Sequence, residues 1–496
     1  MRQFWVCPKA DARDLQSVPD GADFVCQNAD CKRPLTSAGE TGERRAGSNL
    51  VLWLVAAVLV IAGAAAYLRF AGVSSRPGPA AATGRPLVGA PPLFRLSGSN
   101  TIGAQLGPDL AEAWLRTRGA TNLHREPMGT DETRVYGLLD ANPVAIEIRA
   151  HGSATAFTDL AKGDCDIGMA SRRIKSNEVD DLKARALGDP TGNANERVIG
   201  LDGVTIIVNE TNPTDSMTKD EVAAIFSGSS EGHKWNLYAR DDKSGTYDTF
   251  KDRVLGNRTL AGALRFEDSR ALVTAVARDR DGIGFVGLPY AVGVKVLKIS
   301  DRGAVALVPN TMTVRTEAYP LTRRLFLYVP DRAKPEARAF ADFAISAAGQ
   351  DVVEKAGFVG QKVAVMPQET LPTSAPSAYA RLIPQADRLS VDLRFRLGSS
   401  ILDPKAVDDI KRIATVMGAE FRDRGIMLIG FADSIGTREV NLALSKRRAQ
   451  AVADQMRQEG INPVLVTGFG QELPVADNST PEGQEKNRRV EVWLRK

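Results

Sequence analysis

Cysteine and histidine are scarce in this chain, and their scarcity excludes several classes of protein. Among 496 residues there are four cysteines and three histidines, too few cysteines for a fold held together by disulfides. Three cysteines precede residue 50 and the fourth is Cys165, so we expect no disulfide between Cys165 and the others. The histidines, His124, His151 and His233, are dispersed, and no P-loop or catalytic triad pattern occurs. The sequence therefore gives no indication of an enzyme.

A concentration of charge of one sign is also missing. The formal net charge of +4 is spread over the chain without a long basic run, which argues against nucleic acid as a partner. The hydrophobic content of 43% and the charged content of 25% are ordinary for globular proteins. A chain of this length has room for two or three domains, each with its own core.

Residues 50–68 form an apolar run of 19 residues that contains no charge. A helix needs ~20 such residues to cross a bilayer, so we expect a transmembrane helix. A cleaved signal peptide is the alternative, and Ala64-Ala65-Ala66 is similar to a cleavage site. The 49 residues in front of the run are too many for the leading part of a signal peptide, which favours a retained anchor. Arginines flank both ends of the run, so charge alone does not decide how the helix is oriented in the membrane. The downstream domains decide it.

Composition divides the rest of the chain into five further segments. Residues 69–93 are rich in Pro, Gly, Ala and Ser and predict a flexible linker after a short head of residues 1–49. Residues 94–365 alternate short apolar runs with helical patterns, which predicts an α/β domain. Residues 366–384 contain four prolines and predict a second linker, and residues 385–496 predict a compact α+β domain.

The head carries a cysteine pattern similar to a zinc ribbon. Cys7-Pro8 and Cys26-x4-Cys31 stand where two knuckles would be, but a regular site needs four ligands. Ala10 replaces the second cysteine of the first knuckle, and Asp11 could substitute for it. A degenerate ribbon, or a cytoplasmic tail with reduced thiols, is the alternative. Zinc, held by Cys7, Cys26 and Cys31, is the only metal ion that this pattern suggests, and we expect no other cofactor.

Residues 430–452, GFADSIGTREVNLALSKRRAQAV, are the most informative stretch of the chain. A predicted strand ends at Gly430 and leads into a loop that holds Asp433, and a predicted helix begins near Thr437. Asn441, Leu444 or Ser445, and Arg448 are three or four residues apart, so they share one face of that helix. Near the C-terminus, Asn487-Arg488-Arg489-Val490 leads into a final strand.

These motifs resemble the OmpA-like peptidoglycan-binding family, with its loop G-x-x-D-x-x-G, its helix N-x-x-L-S-x-x-R-A and its N-R-R-V-E, over residues 385–496. Phe431 and Ala432 depart from the His and Thr of many members. The resemblance implies that Asp433 and Arg448 bind diaminopimelate of the stem peptide, as a carboxylate can hold its ammonium and a guanidinium its carboxylate. The other site residues that it implies are Asn441, Leu444, Asn487 and Arg488.

Three loops of the middle domain combine small and hydroxyl residues before a predicted helix. They are residues 97–101 (SGSNT), 151–155 (HGSAT) and 240–246 (RDDKSGT). Each could present backbone N–H groups and hydroxyls to an anion, although the same residues make ordinary helix caps. In the third loop, Arg240 adds a positive charge.

In this order the loops resemble the periplasmic phosphate-binding proteins of ABC uptake systems. DCDIGMASRRI (residues 164–174), LDGVTIIVN (201–209), GIGFVGLPYA (282–291) and AYPLTRRLFLYV (318–329) extend the resemblance through the domain. It implies a two-lobed type II periplasmic-binding-protein fold with the anion between the lobes. The phosphate-binding residues that it implies are Thr101, Ile102, Ser153, Arg240, Ser244, Gly245 and Thr246.

Two further residues are implied beside these ligands. Asp242 matches a carboxylate that orients Arg240, and Arg172 stands where some members have an aspartate that accepts the proton of hydrogen phosphate. A guanidinium only donates hydrogen bonds, so the selectivity for phosphate over sulfate stays open, and so does whether Arg172 faces solvent.

Together these resemblances predict a single-pass inner-membrane protein with a cytoplasmic N-terminus and periplasmic C-terminal domains, because peptidoglycan lies outside the inner membrane. We expect it to bind phosphate or a similar oxyanion, to be tethered to peptidoglycan, and to serve uptake or sensing. The alternative is a structural envelope tether whose binding domain has lost or changed its ligand. Whether an ABC permease docks on the chain stays open.

The topology can be tested with reporter fusions. A reporter that is active only in the periplasm should work when it is fused after Lys496 and fail when it is fused before Leu50, because the uncharged run separates the two ends. The opposite pattern of activity would reverse the predicted orientation.

Overall fold

The computed structural model describes residues 91–242, 244–366, 375–396 and 399–496, together with a short antiparallel pairing of Trp5–Val6 with Thr36–Ser37. The chain divides into two compact units, residues 1–85 and 86–496; the second is described below. The predicted membrane segment and the cysteines proposed for zinc lie outside the described residues. Within the described ranges, no helix is both long and apolar enough to cross a membrane.

The middle domain has two lobes, and the first lobe begins at residue 92. Its strands are β1 (Pro92–Gly98), β2 (Thr121–Gly129), β3 (Glu132–Leu139), β4 (Asn142–Arg149) and β5 (Ile167–Ala170). Its helices are α1 (Gly107–Thr117), α2 (Ser153–Lys162) and α3 (Ser176–Ala184), and a π-helix, Ile102–Leu106, precedes α1. A core around Phe94, Trp114 and Phe340 fills this lobe.

The second lobe is entered through β6 (Glu196–Val208), a strand that is buried along almost its whole length. The elements that follow are β7 (Ser216–Thr218), α4 (Lys219–Phe226), β8 (Asn236–Arg240), α5 (Gly245–Phe250), β9 (Leu264–Phe266), α6 (Ser269–Arg278), β10 (Gly282–Gly287), β11 (Lys295–Val296), β12 (Lys298–Ser300) and α7 (Thr311–Arg315). The chain returns to the first lobe through β13 (Thr322–Tyr328), α8 (Pro335–Ile345) and α9 (Ala347–Lys355).

One mixed sheet of 11 strands runs through both lobes, in the order β9-β8-β10-β6-β13-β5-β1-β4-β3-β2 with β11 beside β6. The first part of β6 pairs antiparallel with β13, and its last five residues pair with β10 of the second lobe. β6 is therefore shared by the sheets of both lobes. This two-lobed α/β architecture confirms the fold class predicted for the middle domain.

The C-terminal domain is a four-stranded sheet with helices packed on it. Its elements are α10 (Ser377–Leu382), β14 (Ala386–Arg394), α11 (Pro404–Ala419), β15 (Ile426–Gly430), α12 (Arg438–Gln458), β16 (Leu465–Gly468), α13 (Pro481–Asn487) and β17 (Arg489–Arg495), and the strand order is β14-β17-β15-β16. The predicted α+β fold is confirmed. α10 lies inside the segment that was predicted as the second linker. It packs on the domain, since Tyr379 is buried there and donates to Glu491 (2.8 Å).

Local sequence signals explain where several helices begin. Thr218 caps α4 in a capping box with Glu221, and Thr437 caps α12 by accepting the Val440 N–H. Asp403 caps α11, with Pro404 at its first position. The predicted helix start near Thr437 therefore agrees with the observed start of α12.

The C-terminal domain packs on the middle domain through buried charges. Arg324 of β13 donates to Glu317 (2.7 and 2.8 Å) and to Asp403 Oδ2 (2.6 Å), the cap of α11. Although burial by itself would raise the pKa of Glu317, Arg324, Arg394 and Lys405 hold it well below its ordinary value. Removing one member of such a group would leave the others as uncompensated buried charges.

We predict that Arg324→Ala lowers the free energy of unfolding by about 3–5 kcal/mol, because it leaves Glu317 and Asp403 buried without their partner. Urea unfolding followed by circular dichroism measures the change. Lys362→Ala is the control, since Lys362 pairs with Asp351 and Glu354 at the surface, where a pair contributes about 0–1 kcal/mol. If both substitutions lowered the free energy of unfolding equally, the stabilising role assigned to Arg324 and its two carboxylate partners would be wrong.

Candidate functional site

The three loops predicted to hold an anion all follow a strand and precede a helix. Thr101 lies after β1 and just before the π-helix, and Ser153 begins α2 after β4. Ser244 follows β8 and caps α5, where its hydroxyl accepts the Thr246 N–H (3.2 Å). The predicted placement of these loops between strand and helix is therefore observed at all three.

The two lobes enclose a cleft with a volume of about 610 Å³. The predicted residues that line it are Thr101, Arg240, Ser244, Gly245 and Thr246. Ile102 is fully buried beside Thr101. Ser153 is not part of this lining, because its hydroxyl accepts the Ser171 N–H (3.0 Å) within the first lobe. The structure thus brings together the first and third loops, but not the second.

The two lobes are in direct contact at Thr101 and Gly245. A Cβ at Gly245 would overlap the Thr101 hydroxyl, so glycine is required for this approach. Arg323 of β13 bridges the contact: it donates to Thr101 Oγ1 (3.0 Å), to the Gly245 carbonyl and to Asp202 Oδ2 (2.8 Å). These hydrogen bonds hold the cleft closed.

Sequence reasoning missed Arg323, although a signal for it exists. Arg323 is 3% exposed within a strand that is buried at every position. Because arginine is rarely buried without a partner, two arginines inside the apolar run TRRLFLY indicate paired carboxylates in the fold. The sequence does not show that the partner of Arg323 is Asp202, 121 residues earlier.

Arg240 is the cation of the cleft. Its guanidinium donates to the carbonyls of Phe266 (3.2 Å) and Glu267 (2.6 Å) and to the Ser269 hydroxyl. Burial lowers its pKa from the ordinary value, but nearby carboxylates, Asp241 first among them, oppose that effect. Arg240 forms no ion pair within 4.0 Å among the described residues, so its charge is available to balance an anion in the cleft.

The two residues predicted beside the ligands lie elsewhere. Asp242 pairs with Arg265, and its side chain is 85% exposed, so it does not orient Arg240. Arg172 donates to both oxygens of Glu178 (2.7 and 2.9 Å) and lies over the Phe157 ring. Neither lines the cleft, since each has a salt-bridge partner in its own lobe.

A second candidate site lies on α12 of the C-terminal domain. Asn441, Ser445 and Arg448 are buried along one face of this helix, whereas Leu444 is only partly buried. The helix can pack so closely because Gly430 ends β15; a Cβ there would overlap the Ser445 carbonyl. Of the alternatives left open by the sequence, Ser445 therefore lies on the buried face.

Unpaired polar atoms surround one carboxylate in this site. Asp433 accepts from Arg488 (2.8 Å) and from the Ile435 N–H (3.1 Å). Arg448 Nε and Nη1, Arg488 Nη2 and Asn441 Oδ1 are buried without a hydrogen-bond partner in the described structure. Buried polar groups are normally paired, so these atoms indicate a ligand that carries both acceptors and donors.

Arg448 does not pair with Asp433 in the structure. Its pKa is lowered to about 10, first by burial and then by the neighbouring Arg488, while Asp433 opposes the shift. A ligand carboxylate would relieve both effects. Asn487 uses its amide oxygen to accept the Val475 and Ala476 N–H groups, so it shapes the adjacent loop.

The comparisons with known proteins agree with this description. Residues 139–348 match the model of the PBP superfamily domain, and residues 394–488 match that of the OmpA family. Protein SphX of Synechococcus elongatus is 31% identical over 238 residues, which are 44% of this chain and 69% of that protein. The chain belongs to the PstS-like family of periplasmic binding proteins. It carries an OmpA-like domain at its C-terminal end.

Two further known proteins are similar to part of this chain. The phosphate-binding protein PstS of Staphylococcus aureus is 30% identical over 219 residues, which are 41% of this chain and 65% of that protein. An ABC-type phosphate transport receptor from Vibrio cholerae superposes over 55% of this chain and 100% of its own, with 21% identity and a TM-score of 0.42. The chain thus spans slightly under two thirds of the Staphylococcus protein.

Proposed function

We propose that this PstS-like protein binds phosphate, or a closely related oxyanion, between its lobes and holds peptidoglycan through its OmpA-like domain. The observation that carries the first part is the unpaired charge of Arg240 in a closed cleft lined by hydroxyl groups. The name of the Staphylococcus relative supports phosphate as the ligand. The protein acts as a binding protein rather than an enzyme.

The cleft supplies the groups that an oxyanion needs. The Arg240 guanidinium provides charge-assisted hydrogen bonds, and the hydroxyls of Thr101, Ser244 and Thr246 provide neutral donors around it. Because the Thr101–Gly245 contact brings the lobes together, an anion between them would be largely withdrawn from water. Its hydrogen bonds to the protein would then be stronger than at an open surface.

The OmpA-like site complements the zwitterionic end of diaminopimelate. The unpaired donors of Arg448 and Arg488 can hold its carboxylate, and Asp433 can hold its ammonium. Asn441 Oδ1 is a further free acceptor at the same place. The buried, unpaired state of these atoms is the observation that carries this part of the proposal.

The location follows from these two activities. Peptidoglycan lies outside the inner membrane, so both described domains would be periplasmic, with residues 50–68 as the anchor and the head in the cytoplasm. A receptor held between membrane and wall would serve phosphate uptake or sensing, and docking of an ABC permease would distinguish the two roles.

One observation favours the alternative of a tether that has lost its ligand. The cleft lining also contains carboxylates, those of Asp131, Glu132, Asp241 and Glu267, which would repel an anion. The hydroxyl of Thr101 is moreover already engaged by Arg323. In this alternative the closed cleft is a fixed structural element, and the wall-binding domain alone carries the function.

Calorimetric titration of the full-length protein with phosphate and with sulfate distinguishes an anion receptor from a tether that has lost its ligand. We predict that phosphate binds, and that Arg240→Ala weakens binding at least tenfold, because charge-assisted hydrogen bonds contribute roughly 1.5–3 kcal/mol each and ~1.4 kcal/mol is one decade. Arg258→Ala is the control, as it removes an exposed arginine of the same lobe. A wild-type protein that binds neither anion at millimolar concentration would leave the tether as the better account.

Sedimentation with purified peptidoglycan tests the wall-binding site. Arg448→Ala should reduce binding more than tenfold, since truncating one partner of a buried charge pair costs roughly 2–5 kcal/mol, and Asp433→Asn should act in the same direction. Arg447→Ala is the matched control, because Arg447 is the exposed neighbour on α12. Unchanged sedimentation of both site variants, with melting temperatures like the wild type, would refute the assignment.

A further inference from the structure

A second cavity, of about 460 Å³, lies where both lobes meet the OmpA-like domain. The first lobe contributes Ser171–Arg173, the second lobe Arg253, β13 Thr322–Arg324, and the OmpA-like domain Arg394 and Lys486. We call it the junction cavity. It shares no lining residue with the cleft, so it is a separate space, and neither wall-binding nor anion capture in the cleft uses it.

Positive charge predominates in the junction cavity. Its lining contains eight cationic side chains against five carboxylates. Several of these are matched: Arg173 pairs with Glu485 (2.8 Å) and Lys219 with Asp301 (2.8 Å). Only a cation that is not paired with a carboxylate leaves positive charge for a ligand.

Two cations of the lining are unmatched. Arg253, on the π-helix Lys251–Leu255 of the second lobe, makes no hydrogen bond or ion pair with any described residue. Lys486 donates to the carbonyls of Tyr319 (2.9 Å) and Pro320 (3.0 Å), but no described carboxylate lies within 4.0 Å of its ammonium. Asp252 and Glu482, two carboxylates of the same lining, likewise form no ion pair with any described residue, so these two cations and two carboxylates are the unmatched charges of the cavity.

Buried hydrogen-bonding atoms of the lining are unpaired as well. Thr322 is 3% exposed, and its hydroxyl has no partner in the described structure. Arg394 is 2% exposed, and its Nε also lacks a hydrogen-bond partner. Because buried polar atoms are usually satisfied by protein or ligand, these two atoms are independent indications of an occupant.

We propose that the junction cavity binds a phosphorylated small molecule, with its phosphate on Arg253 and Lys486 and its hydroxyl-bearing body against Thr322. Guanidinium and ammonium groups are the usual partners of phosphate. The cavity volume lies in the range of small-molecule sites, roughly 300–1,000 Å³, and exceeds what a lone oxyanion fills. The cavity's lining is polar, which fits a sugar phosphate.

The state of Lys486 gives the site a measurable signature. Burial, and then the neighbouring charges of Arg253 and Arg394, lower its pKa to about 7, while Asp301 and Glu317 oppose the shift. At pH 8 the free site therefore holds Lys486 mostly deprotonated. A bound phosphate monoester, whose second pKa is about 6, is already a dianion at that pH and would restore the proton to Lys486.

The experiment is calorimetric titration of the full-length protein with glucose 6-phosphate at pH 8, in two buffers of different ionisation enthalpy. The parent for all variants carries Arg240→Ala, which removes the cation of the cleft. We expect one binding site and uptake of most of one proton. Arg253→Gln should weaken binding at least tenfold and reduce the uptake, because it removes a charge that lowers the pKa of Lys486, and Lys486→Gln should weaken binding and abolish the uptake.

Lys362→Gln is the control, because it removes a surface lysine that is paired with Asp351 and Glu354. Arg253→Gln is the decisive variant, since a side chain without partners can be replaced without disturbing the fold, and an unchanged melting temperature verifies this. The proposal is overturned if glucose 6-phosphate does not bind at millimolar concentration, or if Arg253→Gln and Lys362→Gln bind it equally. Because the parent lacks Arg240, this outcome is independent of anion binding in the cleft.

Discussion

Two adjacent arginines on one strand hold the domains of this protein together. Successive side chains of a strand point to opposite faces, so Arg323 and Arg324 of β13 serve different neighbours. Arg323 is bound to Asp202 and to Thr101 in the cleft, and Arg324 is bound to Asp403 of the OmpA-like domain. β13 pairs with β6, the strand shared by the sheets of both lobes. Closure of the cleft and docking of the OmpA-like domain thus depend on the two faces of a single strand.

The buried charges between the domains are paired, whereas those of the OmpA-like site are not. Burying charges is costly unless they are paired, and Arg324 pairs at hydrogen-bond distance with both Glu317 and Asp403. In the OmpA-like site, by contrast, Arg448 is buried without a hydrogen bond, and its pKa is lowered as a result. Paired buried charges fix the domains, whereas unpaired ones mark the places where a ligand would complete the structure.

Much of the fold could be predicted from the sequence because its signals are local. The alternation of apolar runs and helical patterns predicted the α/β domain, and the end of the strand Ile426–Gly430 was predicted at its observed residue. Thr437 was correctly placed at the start of α12, since capping depends on a few neighbouring residues. α10 was missed because the prolines around it indicate a linker, while the burial of Tyr379 depends on contacts with a distant strand.

For the candidate sites, the sequence determined which residue types stand at the strand-to-helix loops and on the face of α12. It thereby identified the Thr101, Ser244–Thr246 and Asp433–Arg448 regions. Only the tertiary structure decided the partners: that Asp433 pairs with Arg488, that Ser153 is engaged by Ser171, and that Arg323 closes the cleft. Hydrogen bonds and ion pairs act over a few ångströms in space, between residues that the chain separates by up to 312 positions. Sequence order carries no direct record of such distances, whereas capping and periodicity are written within a few residues.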